Sequence, residues 1–364
     1  MRSEPRSDPR SDPRLGPSRW VRPDIVALAG YEPGAQRPDA LKLNTNECAW
    51  PPAPGVEAAA LAAVEGLPRY PDPRATALCA AAAERYGESS AQVLAGNGSD
   101  DCLTMIFRAH LAPGDVVAAP APTYGLYRTL AGVQGARYVA VDYGPDWALP
   151  DLAVTGARLA LVAHPNNPSG TLAEIDALRR LADRLDGVLV VDEAYVDFAE
   201  GEAGPCSVLP LLSEHANLIV LRTFSKSFGL AGARLGLLFA HADLVTQYAK
   251  VKDSYNVDSF AQAAGLAALA DRAWHGDVVA RTLAERARLE AALTARGWRW
   301  PRSFANFLLC HVGPEAERLY RALETDGILV RWWSQPALRE TLRITVGRPE
   351  HTDRLLAALD RHLR

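Results

Sequence analysis

Cysteine is scarce in this chain and widely scattered. Cys48, Cys79, Cys102, Cys206 and Cys310 form no Cys-x-x-Cys pair and have no histidine at ligand spacing. That distribution argues against a disulfide framework and gives no zinc site. Long apolar runs are missing too: none approaches the roughly 18 residues of a membrane-spanning helix. Neither charge dominates, since 39 Lys and Arg face 43 Asp and Glu for a net charge of −4. Without a basic field there is nothing to hold nucleic acid. The N-terminus lacks the apolar stretch of a secretory leader, and the expectation is a soluble cytoplasmic protein. What is present is a 48% hydrophobic complement spread over 364 residues, enough for a large core and for two domains.

The first 19 residues repeat an Arg-Ser-Asp-Pro unit, at Arg6–Pro9 and again at Arg10–Pro13. So charged and proline-rich a tract cannot bury apolar surface, and a disordered tail is expected. Further on, three apolar runs read as buried strands: Leu159–Ala163, Val188–Val191 and Leu218–Leu221. Each ends in polar residues. The first runs into His164-Pro165-Asn166-Asn167, the second into Asp192-Glu193-Ala194-Tyr195, and the third into Thr223-Phe224-Ser225-Lys226. Open α/β sheets place ligands at the carboxyl ends of their strands, so these residues are candidates for one site. Thr171 to Glu174 reads as a capping box for a helix over Ala173–Asp186.

Lys226 lies among small residues, and Arg234 follows eight positions later. A lysine at the mouth of a sheet beside an arginine suits a Schiff-base amine next to an anion clamp. Gly96-Asn97-Gly98-Ser99-Asp100 precedes an apolar-periodic helix over Asp101–Leu111 with Ser99 as its expected N-cap. Helix starts of this kind bind anions through free N–H groups. From about Asp243 to Leu293 an Ala-rich stretch with alternating Arg and Glu reads as a long helix, interrupted once at Ser254–Val257. The region from Ala305 on alternates short strands and helices and predicts a small α+β domain.

Taken together in this order, the motifs resemble the fold-type I pyridoxal-phosphate aminotransferases, and most of all the histidinol-phosphate aminotransferase family. The likeness runs from about Tyr31 to Gly347. It implies an α/β fold, a large domain with a mostly parallel seven-stranded sheet between helices and a smaller α+β domain. The implied division is a tail over 1–19, an arm over 20–44, a large cofactor domain over 45–262 and a small domain over 263–364. It further implies pyridoxal phosphate on Lys226, with Asp192 against the pyridine nitrogen, Asn167 and Tyr195 on the phenolic oxygen and Tyr124 stacked on the ring. Gly98, Ser99, Asp100, Ser225 and Arg234 would hold the phosphate. Tyr70, displayed on the Pro-bracketed turn Arg69–Pro73, would reach the phosphate of a neighbouring subunit, which requires a homodimer. Tyr31, Asn46, Arg331 and Arg343 would face the substrate, with Trp332-Trp333 shaping its pocket. The family continues Asn-Pro where this chain has Cys48-Ala49 before Trp50.

The expected reaction exchanges an amino group between histidinol phosphate and 2-oxoglutarate. Relatives with these motifs also act on phenylalanine or tyrosine, and others decarboxylate a phosphorylated amino acid; the residues leave these open. An aminotransferase-like sensor domain of a transcription regulator would need a DNA-binding helix-turn-helix, whereas only the short Pro-rich tract precedes Tyr31.

Overall fold

Apolar, β-branched runs form the strands, and Ala- and Leu-rich stretches form the helices between them. In the computed structural model, which describes residues 13–363, the strands in chain order are β1 (Leu41–Lys42), β2 (Val93–Gly96), β3 (Val116–Ala121), β4 (Arg137–Asp142), β5 (Leu159–Ala163), β6 (Val188–Asp192), β7 (Leu218–Thr223), β8 (Gly236–Ala240), β9 (Phe307–His311), β10 (Ile328–Leu329) and β11 (Thr341–Thr345). The helices are α1 (Pro23–Val26), α2 (Gly55–Ala62), α3 (Thr76–Tyr86), α4 (Ser99–His110), α5 (Leu126–Val133), α6 (Ile175–Arg184), α7 (Val196–Ala203), α8 (Ala242–Val251), α9 (Ser259–Ala270), α10 (Arg272–Thr294), α11 (Ala316–Thr325) and α12 (Pro349–His362).

Seven strands make one sheet in the order β2-β8-β7-β6-β5-β3-β4. From β7 to β4 neighbours run parallel, while β8 is antiparallel to both β7 and β2. Both faces are covered, as a parallel sheet requires. Alternate residues serve opposite sides: Leu189, Val191 and Val220 pack with Leu178 and Leu181. Val190, Ile219 and Leu221 instead pack with Leu103, Phe107 and Tyr248. A second core gathers Leu289, Leu308, Leu319, Ile344 and Leu355 around the antiparallel pair β9–β11. Leu43 joins that core, and β1 pairs with β10 in parallel, so the segment after the arm is tied to the C-terminal part.

Four local expectations need correction. The capping box at Thr171 does not form, because backbone bonds from Asn166 to Thr171 and from Gly170 to Asn166 close residues 166–171 into a loop. Helix α6 starts at Ile175 without a side-chain cap. Ser99 is the first residue of α4, not its cap; Gly98 holds the cap position at φ 87°, a conformation glycine takes without cost. The helical stretch after Asp243 breaks twice, the second time at Asp271, whose carboxylate accepts the N–H of Trp274 at 2.9 Å and starts α10. The tract read as a tail ends in 3-10 turns over Pro13–Trp20, and its first 12 residues lie outside the described residues.

Candidate active site

The sheet reverses its winding between β3 and β5, and the residues after β3, β5, β6 and β7 converge at that point. Register makes this possible: Ala163 at the end of β5 pairs with Asp192 at the end of β6, and Asp192 pairs with Leu221 near the end of β7. Tyr124, Asn167, Asp192, Tyr195 and Lys226 are thereby carried to one mouth by four separate strand ends.

The turn between β2 and α4 forms one wall. Asp101 pins it by accepting the Asn97 N–H at 2.9 Å and the Asn256 side-chain amide at 2.7 Å. The turn lies so close to β8 that a Cβ on Gly236 would stand 2.3 Å from the Ser99 nitrogen. Arg234, itself at φ 48°, lays its guanidinium over the turn: Nη1 donates to Ser225 Oγ at 3.4 Å and Nη2 pairs with Asp100 at 3.2 Å. A Cβ on Gly98 would meet that Nη2 at 2.7 Å. First-turn N–H groups without intrahelical partners, a hydroxyl and a guanidinium make a cup suited to a phosphate.

Beyond the cup stands Asp192. It accepts the Tyr127 hydroxyl at 2.9 Å and the Ala194 N–H at 3.2 Å, and it makes no ion pair among the described residues. Burial penalises its charge and lifts its pKa to about 6, against the lowering effect of the Tyr127 hydrogen bond. Such a carboxylate fits a partner that brings a cation. Tyr124 holds its hydroxyl 3.3 Å from Asp100 and meets Tyr127, the donor to Asp192, edge-on. Lys226 Nζ donates to the Thr45 carbonyl at 3.1 Å and lies 5.5 Å from the centre of the Tyr195 ring. Burial, then the nearby Arg343 charge, lowers the Lys226 pKa to about 8. An amine so tuned is partly neutral at mildly basic pH, as a nucleophile or base must be.

The outer part of the site is cationic. Arg343 on β11 donates Nη2 to the Asn44 carbonyl at 2.6 Å and Nη1 to Asn167 Oδ1, while its Nε is buried without a hydrogen-bond partner. Burial brings its pKa down to about 10, so it stays charged at neutral pH. Arg331 forms an antiparallel bridge with Arg343 through the backbone. Its guanidinium donates to the carbonyls of Glu32 and Pro33 at 3.1 and 3.3 Å, which fastens the arm bearing Tyr31 over the mouth. Tyr31 meets Tyr124 edge-on at 5.6 Å. Asn46, at φ 55°, donates its side-chain amide to the Tyr195 hydroxyl at 2.9 Å.

The two tryptophans part company. Trp333 lies 5.5 Å from the Arg331 guanidinium and 5.4 Å from that of Arg343, whereas Trp332 stacks on Tyr320 and belongs to the small core. Tyr70 alone among the candidates is remote from the others within the chain: it is 79% exposed and stacks on Tyr255 at 4.4 Å. Two participants escaped the sequence reading. Tyr127 lies three residues after Tyr124, a helical spacing that could have flagged it; the Thr45 carbonyl carries no signal in sequence at all.

Anion cup, aromatic face, unpaired buried carboxylate and low-pKa lysine together fit the phosphate, ring, ring nitrogen and carbonyl of pyridoxal phosphate. Comparison with known proteins agrees with this chemistry. The family model for aminotransferase class I and II matches residues 38–359. The chain is similar to histidinol-phosphate aminotransferase 1 of Trichormus variabilis, at 41% identity over 94% of this chain and 98% of that protein. It is also 40% identical to the histidinol-phosphate aminotransferase of Rhodopirellula baltica, over 93% of this chain and 95% of the relative. Among solved structures, the histidinol-phosphate aminotransferase of Sinorhizobium meliloti in complex with pyridoxal-5'-phosphate superposes with a TM-score of 0.85 at 28% identity, covering 94% of this chain and 98% of that one. A Thermus thermophilus aspartate aminotransferase variant at 23% identity and a TM-score of 0.80 shares the fold. The chain belongs to the class I and II aminotransferases, the fold-type I enzymes that the motif order had suggested. No helix among the described residues is long and apolar enough to cross a membrane.

Proposed function

We infer that this enzyme moves the amino group of histidinol phosphate to 2-oxoglutarate, a step of histidine biosynthesis, with pyridoxal phosphate as its cofactor. The observation that carries the choice of substrate is the bridge between Arg331 and Arg343, two guanidiniums at one mouth with Trp333 beside both. A phosphate dianion needs more neutralisation than a carboxylate, and paired arginines suit it. The same Arg343 can take the α-carboxylate of glutamate in the return half-reaction. The name carried by relatives at about 40% identity over nearly the whole chain supports the same reading.

Pyridoxal phosphate, when bound, supplies a reactive carbonyl carbon and a cationic ring that accepts electron density. Gly98, Ser99, Asp100, Ser225 and Arg234 would hold its phosphate, and Tyr124 would cover one face of the ring. Asp192 would pair with the ring nitrogen, and the ionised form that burial disfavours would then be restored by the facing charge. Asn167 and Tyr195 would hydrogen-bond the phenolic oxygen. Lys226 Nζ would be the base that moves the proton off the amine-bearing carbon of the substrate, beneath the Tyr31 arm.

Tyr70 would complete the phosphate cup of a partner subunit. Leu61, Leu67, Tyr255, Phe260 and Leu266 are exposed on the same side of the molecule, around α2 and α9, and a homodimer would cover them. Sedimentation of the purified protein should give the dimer mass. The cytoplasm is the compartment this reading assigns. To test the substrate, histidinol phosphate, phenylalanine and glutamate are added separately to the loaded enzyme and single-turnover change in cofactor absorbance is followed. Rapid conversion by histidinol phosphate and glutamate is expected, with phenylalanine far slower. Conversion by phenylalanine alone would reassign Arg331 and Trp333 to an aromatic-acid pocket.

A further inference from the structure

Each segment that brings a residue to the catalytic mouth also sends a neighbour to the opposite side. Asp192 faces the site and Glu193 turns away; Tyr195 faces it and Asp197 turns away; Lys226 faces it and Ser227 turns away. The three that turn away meet. Asp197 accepts the Ser227 hydroxyl and the Arg222 guanidinium, the latter at 3.0 Å. Arg222 also pairs with Glu193 at 2.9 Å, and Glu193 in turn takes the Val208 N–H at 2.6 Å and the Ser207 hydroxyl at 2.8 Å. All four of Glu193, Asp197, Arg222 and Ser227 have side chains at most 11% exposed or are buried residues.

Helix α10, which leads into the small core, borders the network. Its His275 presents Nε2 to Asp197 at 3.6 Å, and its Nδ1 lies 3.0 Å from Arg85 Nη2. Arginine can only donate, so Nδ1 accepts, while Nε2 faces the carboxylate beyond hydrogen-bond distance. The His275 ring stacks on Phe228, the second residue after Lys226, at 4.1 Å. Burial alone would raise the Asp197 pKa, but His275, Arg222 and Ser227 together hold it well below the ordinary value. The far side of the network opens on a cavity of about 550 Å³ lined by Arg85, Asp197, Arg222 and His275. Polar bonds thus hold this side of the lysine loop together with the packing of Phe224 and Phe228.

We propose that Asp197 is a positioning residue for Lys226: through Ser227 it fixes the loop that carries the lysine, and through Arg222 it anchors that loop to β7 and Glu193. The role rests only on Lys226 acting in the aminotransferase reaction and is independent of which amino donor is used. Misplacement of a catalytic amine by a fraction of an ångström to an ångström slows chemistry without weakening substrate binding.

Two variants test it, Asp197→Asn and the gentler Ser227→Ala, which keeps every ion pair. In the cofactor-free protein, hydrogen exchange by mass spectrometry should show its largest acceleration in the peptide spanning 223–229, well above that of β2 and β9. In the loaded enzyme with glutamate as donor, kcat should fall about 10- to 100-fold for Asp197→Asn and less for Ser227→Ala, with KM moved less than about threefold. Exchange rising uniformly across the chain would reduce Asp197 to a general structural ion pair and overturn the proposal. Unchanged exchange at 223–229, or a loss borne by KM instead of kcat, would overturn it as well.

Discussion

Asp192 and Asp197 are two buried carboxylates five residues apart, on the two sides of one floor, and their surroundings treat them in opposite ways. On the catalytic side Asp192 has a phenol and an amide but no ion pair among the described residues, and its pKa rises to about 6. On the underside Asp197 has a guanidinium, an imidazole and a hydroxyl, and its pKa falls well below the usual value. The underside is finished by the chain itself. On the catalytic side the carboxylate is left without a counter-charge among the described residues, and unfinished electrostatics of that kind is what marks a candidate functional site.

The largest effect should come from the catalytic side. Lys226→Ala should cost on the order of ten-thousand-fold in turnover while leaving the fold intact, measured by steady-state kinetics alongside circular dichroism. The comparison itself breaks or holds on the next pair. In cofactor-free protein at pH 8, urea unfolding should show Asp197→Asn losing about 3–5 kcal/mol, because Arg222 is left with one partner fewer in a buried setting. Asp192→Asn should lose nothing there, and should gain, because it removes a buried charge. Equal losses for both would erase the distinction.

The pH dependence sharpens the same point. With a native pKa near 6 against about 4 when unfolded, Asp192 stays protonated longer in the native state. Between these values the native state binds more protons, so the Asp192 contribution is present in full below pH 4 and is lost as pH rises through 6, by about 3 kcal/mol. The difference in stability between wild type and Asp192→Asn, followed by urea titration from pH 4 to 7, should track that loss. Asp197, ionised in the native state across this window, contributes only at its acid end, where the unfolded form begins to protonate, and with the opposite sign; the wild-type and Asp192→Asn proteins share that term, so it cancels in their difference.

Smaller effects belong to the rim. Arg331→Gln should lower kcat/KM for histidinol phosphate by about 10- to 100-fold, the worth of a charge-assisted hydrogen bond, and affect glutamate less. Equal losses for both donors would move Arg331 from phosphate recognition to holding the Glu32–Pro33 arm. Smallest of all, Tyr70→Phe should weaken cofactor retention about three- to tenfold in equilibrium dialysis; unchanged retention would count against a shared site.

Residues legible in sequence were those whose backbone context is local. A strand that ends in Asp192, a Ser-Lys pair after another strand and a Gly-rich turn before a helix each announce a place and a chemistry within a few positions. Tyr127 was readable in principle from its helical spacing to Tyr124. The Arg343 environment was not, because its partners Asn44 and Asn167 lie about 299 and 176 positions away. The capping box at Thr171 failed for a related reason: the 166–171 loop closed on its own backbone bonds, and local propensity yielded to them.

By itself, then, the amino-acid order determined the sheet, the order of the cofactor motifs and the residue types at the catalytic mouth, because hydrophobic period and turn chemistry act over short stretches. Tertiary structure alone decided which carboxylate would be paired and which left without a counter-charge, where the Tyr31 arm is fastened, and that Glu193, Asp197, Arg222 and Ser227 meet beneath the lysine. Those outcomes depend on strand register and on α10 crossing the underside, and charges separated by dozens of residues can shift one another's ionisation only once folding has brought them within a few ångströms in a medium that screens poorly.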